Sequence, residues 1–176
     1  MVMLKLLKAL PLVFTISISI YLFAFITNLT QGNDLTFVIY GTEYCDTCIE
    51  LKEFLHREVR GARIVFLDLI DKNNSARFME VVNLLYEIGA LPQTPCPTCK
   101  PPMERLRVLI PLTGILKGGE LKAIIIGFYN QTLWKETLSL VIKSNTTYFI
   151  TPLGIRITIN DHQVKEKLES LIIGSS

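Results

Sequence analysis

The sequence predicts an α/β fold preceded by one N-terminal transmembrane helix. Segments rich in β-branched and aromatic residues alternate with segments whose apolar residues recur at helical spacing, beginning with residues 35–40 and 45–59. Residues 9–29 include no charged residue and are long enough to cross a bilayer as a helix. With 176 residues, the chain can form one compact domain with a hydrophobic core and a further element.

Composition and charge narrow the classes of function. Hydrophobic residues make up 49% of the chain and the mean hydropathy is +0.38, values that the N-terminal segment largely explains. The formal net charge is +2 and no basic patch is interleaved with aromatic residues, so we expect no nucleic-acid partner. All four cysteines fall in two CxxC pairs, Cys45 with Cys48 and Cys96 with Cys99, which indicates redox or metal chemistry.

Residues 1–30 are predicted to form a membrane anchor, with a cleaved signal sequence as the alternative. The apolar stretch 9–29 is longer than the core of about 7–15 residues typical of signal peptides, and residues 25–28 offer no convincing cleavage site. Lys5 and Lys8 precede the apolar stretch, and positive residues favour the cytoplasmic side. We therefore expect a single-pass protein of the cell membrane whose main domain is extracytoplasmic.

N-glycosylation sequons support an exported domain. Four of the eight asparagines begin an Asn-X-Ser/Thr pattern, namely Asn28, Asn73, Asn130 and Asn145. Coincidence in a threonine-rich chain is the alternative explanation, and Asn28 lies too near the predicted span to be a good acceptor.

The first CxxC pair opens the first predicted helix. A buried strand at 35–40 leads through a polar turn at 41–44 to Cys45, and apolar residues then follow at helical spacing as far as Val59. Unpaired N–H groups at a helix N-terminus stabilise a thiolate, so Cys45 is the candidate nucleophile. Cys48 lies one turn further on the same face and can resolve a mixed disulfide. A structural disulfide or a pair of zinc ligands is the alternative.

This stretch resembles the thioredoxin-like thiol–disulfide oxidoreductases, and a second segment strengthens the resemblance. Residues 110–127 look like the family's strand, glycine turn and strand, which begins with a cis-proline packed against the active-site cysteines; Pro111 occupies that position. The resemblance covers residues 35–143, with a last helix at 131–143, and sets a thioredoxin-like domain at 31–143. It implies a mixed central sheet with helices on both faces.

The resemblance also implies the roles of individual residues. Cys45 would supply the attacking thiolate and Cys48 the resolving thiol, while Pro111 would shape the substrate groove and keep metal ions away from the pair. The remaining neighbours of the site would be Tyr44, Asp46, Thr47 and Ile110. No bound cofactor or metal is expected, because electrons move by the exchange of disulfides.

Two departures from the family pattern concern proton transfer and redox poise. Thioredoxins carry a buried acid in the first strand, where this chain has Ile39. They also carry a Trp-Cys-Gly-Pro-Cys motif, where this chain runs from Tyr44 to Cys48 with Asp46 beside the nucleophile. The proton-transfer role of the buried acid therefore cannot be carried over. Since a neighbouring negative charge opposes thiolate formation, our hypothesis is that the pair is no strong oxidant.

The next predicted elements are a strand and a helix. Residues 62–69 predict a second strand, parallel to the first across a helical crossover. A turn at 71–74, with Asn74 or Ser75 as the N-cap, leads to an amphipathic helix at 76–88.

A proline-rich insertion at about 91–105 carries the second CxxC pair. Its five prolines exclude a regular helix and indicate a stiff loop. Three explanations stay open for Cys96 and Cys99: a second redox pair that relays electrons to or from Cys45, a structural disulfide that braces the loop, or zinc bound by all four cysteines. Zinc sites usually space two pairs by about 15–20 residues, whereas 47 residues separate Cys48 from Cys96.

Residues 144–176 form a C-terminal extension beyond the resemblance. Two short strands are predicted at 148–150 and 155–159, and Asp161 is expected to cap a last helix at 163–173. The apolar face of that helix packs on the domain or offers a surface to a partner or the membrane.

The sequence thus predicts a membrane-anchored, extracytoplasmic thiol–disulfide oxidoreductase. Its expected partners are cysteine-containing exported proteins and a membrane thiol electron donor or acceptor, with the direction of electron flow open. The alternatives are a zinc- or copper-binding protein and a non-catalytic thioredoxin-like interaction domain whose cysteine pairs are structural.

Overall fold

The computed structural model describes residues 34–91, 109–128, 130–151 and 154–174. Strands and helices alternate along the described chain in the order that the sequence predicts. The elements are β1 (Leu35–Gly41), α1 (Asp46–Glu58), β2 (Arg63–Asp68), α2 (Lys72–Glu87), β3 (Leu112–Lys117), β4 (Glu120–Ile126), α3 (Gln131–Lys143), β5 (Thr147–Ile150), β6 (Arg156–Ile159) and α4 (His162–Ile173).

The six strands form one mixed sheet in the order β2-β1-β3-β4-β5-β6. β1 pairs with β2 and β4 with β5 in parallel, whereas the other neighbouring strands are antiparallel. Helices cover both faces, so the predicted α/β class with a mixed, helix-flanked sheet is confirmed. β1 begins beside the β3–β4 turn, where the Gly118 N–H donates to the Asp34 carbonyl at 2.9 Å. It ends at Gly41, at the opposite end of the strand.

α1 and α3 cover one face of the sheet. Their apolar side chains pack against alternate residues of β1, β3 and β4, because successive side chains of a strand point to opposite faces. An aromatic cluster joins the two helices: Phe54 of α1 and Trp134 of α3 pack with Phe128, which precedes α3, and the ring centroids lie 5.2 to 6.4 Å apart. The Trp134 indole N–H donates to the Gly127 carbonyl at 3.2 Å, which fixes the ring and anchors α3 to the end of β4.

α2 and α4 cover the opposite face. α4 approaches β3 closely, since an ideal Cβ built on Gly114 would lie 2.6 Å from Ile172 Cγ2. The buried Tyr40 hydroxyl donates to the Leu171 carbonyl at 2.9 Å and so joins β1 to the last turn of α4. The C-terminal helix therefore packs on the sheet, which was one of the two placements expected for it.

Charged groups also join the start of β4 to α4. Glu120 pairs with Lys122 at 2.8 Å and with Lys165 of α4. Hydrogen bonds from Lys122 and then Lys165 lower the pKa of Glu120 to about 2. One turn further along α4, the Glu169 carboxylate accepts a hydrogen bond from the Leu121 N–H at 3.1 Å. This edge of the sheet is consequently held by polar contacts as well as by the core.

Most predicted bounds are confirmed to within a residue, and the start of α2 is the exception. Its N-cap is Asp71 rather than Asn74 or Ser75, and the helix begins at Lys72. The Asp71 carboxylate accepts hydrogen bonds from the N–H groups of Asn73 at 2.8 Å and Asn74 at 3.0 Å. Because a carboxylate at this position satisfies two free donors, the helix starts before its apolar periodicity becomes visible.

The C-terminal prediction is confirmed, whereas two other predictions lie outside the described residues. β5 and β6 extend the sheet, and Asp161 caps α4 through the N–H groups of Gln163 and Val164. The predicted span at 9–29 and the insertion that carries the second cysteine pair fall outside the described ranges. Within those ranges, no helix has the length and apolar character needed to cross a membrane.

Candidate functional site

Cys45 and Cys48 lie at the N-terminus of α1, as predicted, and are close enough to form a disulfide. Their Cα atoms are 5.2 Å apart, within the usual range for bonded cysteines. Cys45 is the N-cap residue, and its Sγ accepts a hydrogen bond from the Cys48 N–H at 3.3 Å. The free N–H groups and the positive end of the helix dipole therefore surround the Cys45 sulfur, which favours its thiolate in the reduced form.

A tight turn between β1 and α1 fixes this position. β1 ends at Gly41, and the Cys45 N–H donates to the Thr42 carbonyl at 3.1 Å. The Cys45 carbonyl in turn accepts from the N–H groups of Cys48 at 2.9 Å and Ile49 at 3.1 Å, so helical hydrogen bonding starts at once. The two cysteines are therefore held just beyond the C-terminal end of β1.

The two cysteines differ in exposure. Cys45 is half-buried, whereas Cys48 is 0% exposed. Gly41 makes room for Cys48, since an ideal Cβ on Gly41 would lie 2.8 Å from the Cys48 Sγ and 3.3 Å from Phe66 Cε2. An external thiol can therefore reach the Cys45 sulfur, while the Cys48 sulfur is shielded by the end of β1.

The sheet register brings Pro111 to the same end of β1 as the two cysteines. The antiparallel β1–β3 ladder, continued by one residue, sets Pro111 opposite Gly41. The Ile110–Pro111 peptide bond is cis, as expected at this position, and Pro111 is buried. Its carbonyl accepts a hydrogen bond from the Gly127 N–H at 2.7 Å, which fixes it against the end of β4. Pro111 thus neighbours the glycine that packs against Cys48.

The other predicted site residues differ in exposure. Tyr44 is 86% exposed, and Asp46 is exposed in the first turn of α1. Thr47 is half-buried, and the half-buried Ile110 packs against the core beneath α2 and α4. The residues next to Cys45 in the chain consequently present an aromatic ring and a carboxylate to an approaching partner.

Three side chains near the pair are not identifiable from the sequence motif. Phe66 pairs with Ile39 across β1–β2, and the Lys52 ammonium lies 5.6 Å from the centre of the Phe66 ring. Thr113 pairs with Ile39 on the other side; it is 0% exposed, and its hydroxyl has no hydrogen-bond partner. The one sequence signal for Thr113 is that it is the only polar side chain in residues 109–116.

The shifted pKa values belong to groups away from the cysteines. Burial raises the pKa of Tyr40, an effect that Arg77 partly opposes, and Tyr40 faces α2 and α4. Hydrogen bonds from Lys135 and then Arg57 lower the pKa of Glu58, which ends α1 three turns from the disulfide. Neither group can exchange protons with the cysteines directly.

The described residues have the arrangement of a dithiol–disulfide couple. Cys96 and Cys99 lie outside them. Within the described part of the chain, no cluster of three or more His, Cys, Asp or Glu side chains is arranged to hold a metal ion. What the Cys45–Cys48 pair can do chemically is exchange its disulfide with an external thiol at Cys45.

Comparison of the chain with protein-family models, with curated proteins and with solved structures finds no match. The functional assignment therefore depends on the chemistry and geometry of the site.

Proposed function

We propose that this protein is a thiol–disulfide oxidoreductase that exchanges disulfides through Cys45 and Cys48. The observation that carries the proposal is a disulfide at the N-terminus of α1, with Cys45 half-buried and Cys48 fully buried. A disulfide with a purely structural role has no need of a helix N-terminus. Disulfide exchange is favoured there, because the positive end of the helix stabilises the attacking or leaving thiolate.

The enzyme is a divergent member of the thioredoxin-like family. The element order from β1 to α3, the parallel β1–β2 pair and the antiparallel β3–β4 hairpin support this membership. The position of Pro111 opposite Gly41 supports it further. The divergence lies in the apolar Ile39, in the residues between the two cysteines, and in β5, β6 and α4, which extend the sheet.

Exchange takes place in two steps in which sulfur and electrons balance. In the reducing direction, the Cys45 thiolate attacks a substrate disulfide, forms a mixed disulfide and releases one substrate thiolate. Cys48 then attacks the Cys45 Sγ, closes the Cys45–Cys48 bond and releases the second substrate sulfur as a thiolate. The substrate gains two electrons and the enzyme loses two. The oxidising direction runs through the same steps in reverse.

The substrates are cysteines of exported proteins in segments that can reach the rim of the site. The exposed Tyr44 ring, next to Cys45 in the chain, would contact apolar residues near the substrate cysteine. Pro111 shapes the groove beside the disulfide and, as a side chain without a donor or charge, keeps metal ions from the pair.

The domain is anchored by residues 9–29 and lies outside the cytoplasm. Three sequon asparagines, Asn73, Asn130 and Asn145, are exposed, which is a requirement for glycosylation and supports this location. A membrane thiol protein supplies or removes electrons and so keeps the pair in its working redox state.

Cys96 and Cys99 relay electrons between such a protein and the catalytic pair. The chain that carries them rejoins the described fold at Leu109, two residues before Pro111. Nine residues separate Cys99 from Leu109, enough for a reach of about 30 Å when extended. This length is compatible with contact between either cysteine and Cys45.

The test is a redox titration of the full chain in detergent, with alkylation and mass mapping of all four cysteines. We expect the Cys45–Cys48 pair to titrate between about −120 and −270 mV, the range of exchange-competent couples. Cys45→Ser should abolish exchange with a disulfide peptide, and Cys48→Ser should accumulate mixed disulfides at Cys45. The double variant Cys96→Ser and Cys99→Ser tests the relay separately, because it removes the whole second pair and leaves the first pair intact.

Two results would contradict the proposal. One is full exchange activity in Cys45→Ser. The other is a chain whose cysteines alkylate only after a chelator is added, because thiolates bound to metal are protected from alkylation. A titration midpoint well below about −300 mV for both pairs would instead indicate structural disulfides.

A further inference from the structure

Thr113 is a buried polar residue that the fold itself does not explain. Its side chain is 0% exposed, and its Oγ1 is the one buried side-chain oxygen or nitrogen without a hydrogen-bond partner in the part of the chain that the structure describes. A buried hydroxyl that makes no hydrogen bond destabilises the folded state, because it has lost its water partners without replacement. Buried Thr147, by contrast, donates to the Leu121 carbonyl at 2.9 Å.

The sheet register sets Thr113 on the same face as the catalytic pair. Thr113 pairs with Ile39 on β1 and with Ile125 on β4, and both of these belong to the core beneath α1 and α3. Ile39 lies two residues before Gly41, so Thr113 is the diagonal cross-strand neighbour of the glycine that packs against Cys48. Diagonal neighbours of this kind have Cα atoms about 7–8 Å apart.

We propose that the Thr113 hydroxyl is a positioning group for Cys48, which donates a hydrogen bond to the Cys48 sulfur once the disulfide is reduced. This inference rests on the proposed oxidoreductase function. In the oxidised form the bond to Cys45 fixes the Cys48 Sγ, and the hydroxyl is left without a partner. Reduction frees the Cys48 side chain to rotate about its Cα–Cβ bond, and the hydrogen bond forms when the sulfur turns towards β3.

The hydrogen bond acts in the resolving step. Cys48 loses its proton, and its thiolate attacks the Cys45 sulfur of the mixed disulfide. The Cys45–Cys48 bond forms, the bond between Cys45 and the substrate sulfur breaks, and the substrate sulfur leaves with the electron pair and takes up a proton. A hydroxyl donor favours the thiolate over the thiol, so Thr113 raises the fraction of Cys48 that can attack at neutral pH.

Other charged groups on the elements around Cys48 act at longer range. α1 contributes the exposed Asp46 and also Lys52, whose ammonium lies over the Phe66 ring. β2 contributes Asp68, which pairs with Gly41 in the register and whose carboxylate accepts from the Ile70 N–H at 3.0 Å. The turn before α1 contributes the exposed Glu43. β1 contributes no charged side chain, and the charged residue of β3, Lys117, lies at the far end of that strand from Thr113 and donates to the Ile142 carbonyl of α3 at 2.7 Å. Asp68, the strand partner of Gly41, is therefore the carboxylate to test as a competing group.

The test follows the resolving step alone, in the full chain with Cys96→Ser and Cys99→Ser. The reduced protein is loaded at Cys45 with 5-thio-2-nitrobenzoate, and stopped-flow absorbance follows release of the second thionitrobenzoate as a function of pH. The variants are Thr113→Val, which is isosteric and lacks the hydroxyl, and Thr113→Ser, which keeps it. Thr147→Val is the matched control, and Asp68→Asn tests the competing group.

We expect the pH profiles of Thr113→Val and the parent protein to cross. If the hydroxyl raises the thiolate fraction tenfold, its loss is partly offset by the greater nucleophilicity of the less stabilised thiolate, with a Brønsted exponent of about 0.4–0.5. Release from Thr113→Val should then be about threefold slower at pH 7 and about threefold faster once Cys48 is fully ionised. Thr113→Ser should stay within about twofold of the parent, and Thr147→Val should leave the profile unchanged.

The outcomes separate this inference from the proposed function. Profiles of Thr113→Val and the parent that superimpose would overturn the role of Thr113 and leave the oxidoreductase assignment intact. A profile moved by Asp68→Asn and not by Thr113→Val would overturn it in favour of the carboxylate. Failure of the parent to release the second thionitrobenzoate at any pH would overturn both. If Thr113→Val does not fold, Thr113→Ala carries the same test.

Discussion

Replacement of Gly41 by alanine tests whether the end of β1 holds Cys48 in place. The added Cβ would lie 2.8 Å from the Cys48 Sγ, 3.2 Å from its Cβ and 3.3 Å from Phe66 Cε2. Gly41 has no positive φ, so alanine fits the backbone and only crowding opposes it. Crowding in a packed interior costs about 1–3 kcal/mol. The reduced entropy of the unfolded chain offsets about 0.4–1 kcal/mol, which leaves a net loss between about zero and about 2.6 kcal/mol.

The loss should depend on the redox state of the pair. The disulfide fixes the Cys48 Sγ against the new methyl group, whereas a reduced thiol can rotate away. If about 1.4 kcal/mol of the cost applies only to the oxidised form, reduction becomes more favourable and the reduction potential rises by about 30 mV. Denaturant unfolding of both redox forms measures the two free energies, and titration against a glutathione buffer measures the potential.

Gly114→Ala is the control for this experiment. Its added Cβ would lie 2.6 Å from Ile172 Cγ2 on the opposite face of the sheet, so the crowding is comparable and remote from the disulfide. We expect Gly114→Ala to lower the free energy of unfolding equally in both redox forms and to leave the potential unchanged. A similar change of potential in both variants, or equal destabilisation of both redox forms in Gly41→Ala, would refute the reasoning.

Three further predictions concern stability and pH. Thr147→Val should lower the free energy of unfolding by about 1–3 kcal/mol in urea, because it leaves a buried carbonyl without its donor; an unchanged midpoint would contradict this. Asp161→Ala should remove about 0.5–2 kcal/mol and Asp161→Asn much less, because only the former removes the cap of α4; equal loss in both would argue against capping. Lys122 and Lys165 hold the pKa of Glu120 at about 2, so this carboxylate stabilises the fold above its unfolded pKa and ceases to do so as the pH falls towards about 2. Glu120 is half-exposed and screened by solvent, so its contribution to stability is small. Between pH 6 and pH 3, the Glu120→Gln variant should lose less stability than the parent protein, by up to about 1 kcal/mol. Equal losses in the variant and the parent would contradict the pairing.

The order of strands and helices is predictable because it depends on local patterns. β1 and α1 are encoded by a β-branched run and by apolar residues at helical spacing, separated by a glycine turn. The start of α2 is not predictable in this way, because Asp71, Asn73 and Asn74 can all act as caps. The choice depends on where β2 ends, since the Asn74 side-chain amide donates to the Asp68 carbonyl at 3.1 Å and is no longer free to cap.

The candidate site is predictable only where it is local in sequence. Cys45 and Cys48 are three residues apart, so helical spacing alone relates them. Phe66 and Thr113 are brought to the pair by strand register, and a slip of one residue would turn either side chain to the other face of the sheet. Thr113, a buried polar residue on the face that α1 covers, is therefore identified as a neighbour of the site only once the ladders are known.

The direction of β1 determines how the protein presents its disulfide when it is tethered. The chain enters the domain at Asp34, beside the β3–β4 turn, and the disulfide lies past Gly41 at the other end of the strand. Seven residues at about 3.3 Å each separate these points by about 20 Å. A support attached before Asp34, whether a bilayer or an assay bead, therefore holds the domain at one end of β1, and the disulfide lies at the other end. Immobilisation through that end leaves Cys45 open to large partners, and force applied there is carried by the central strand.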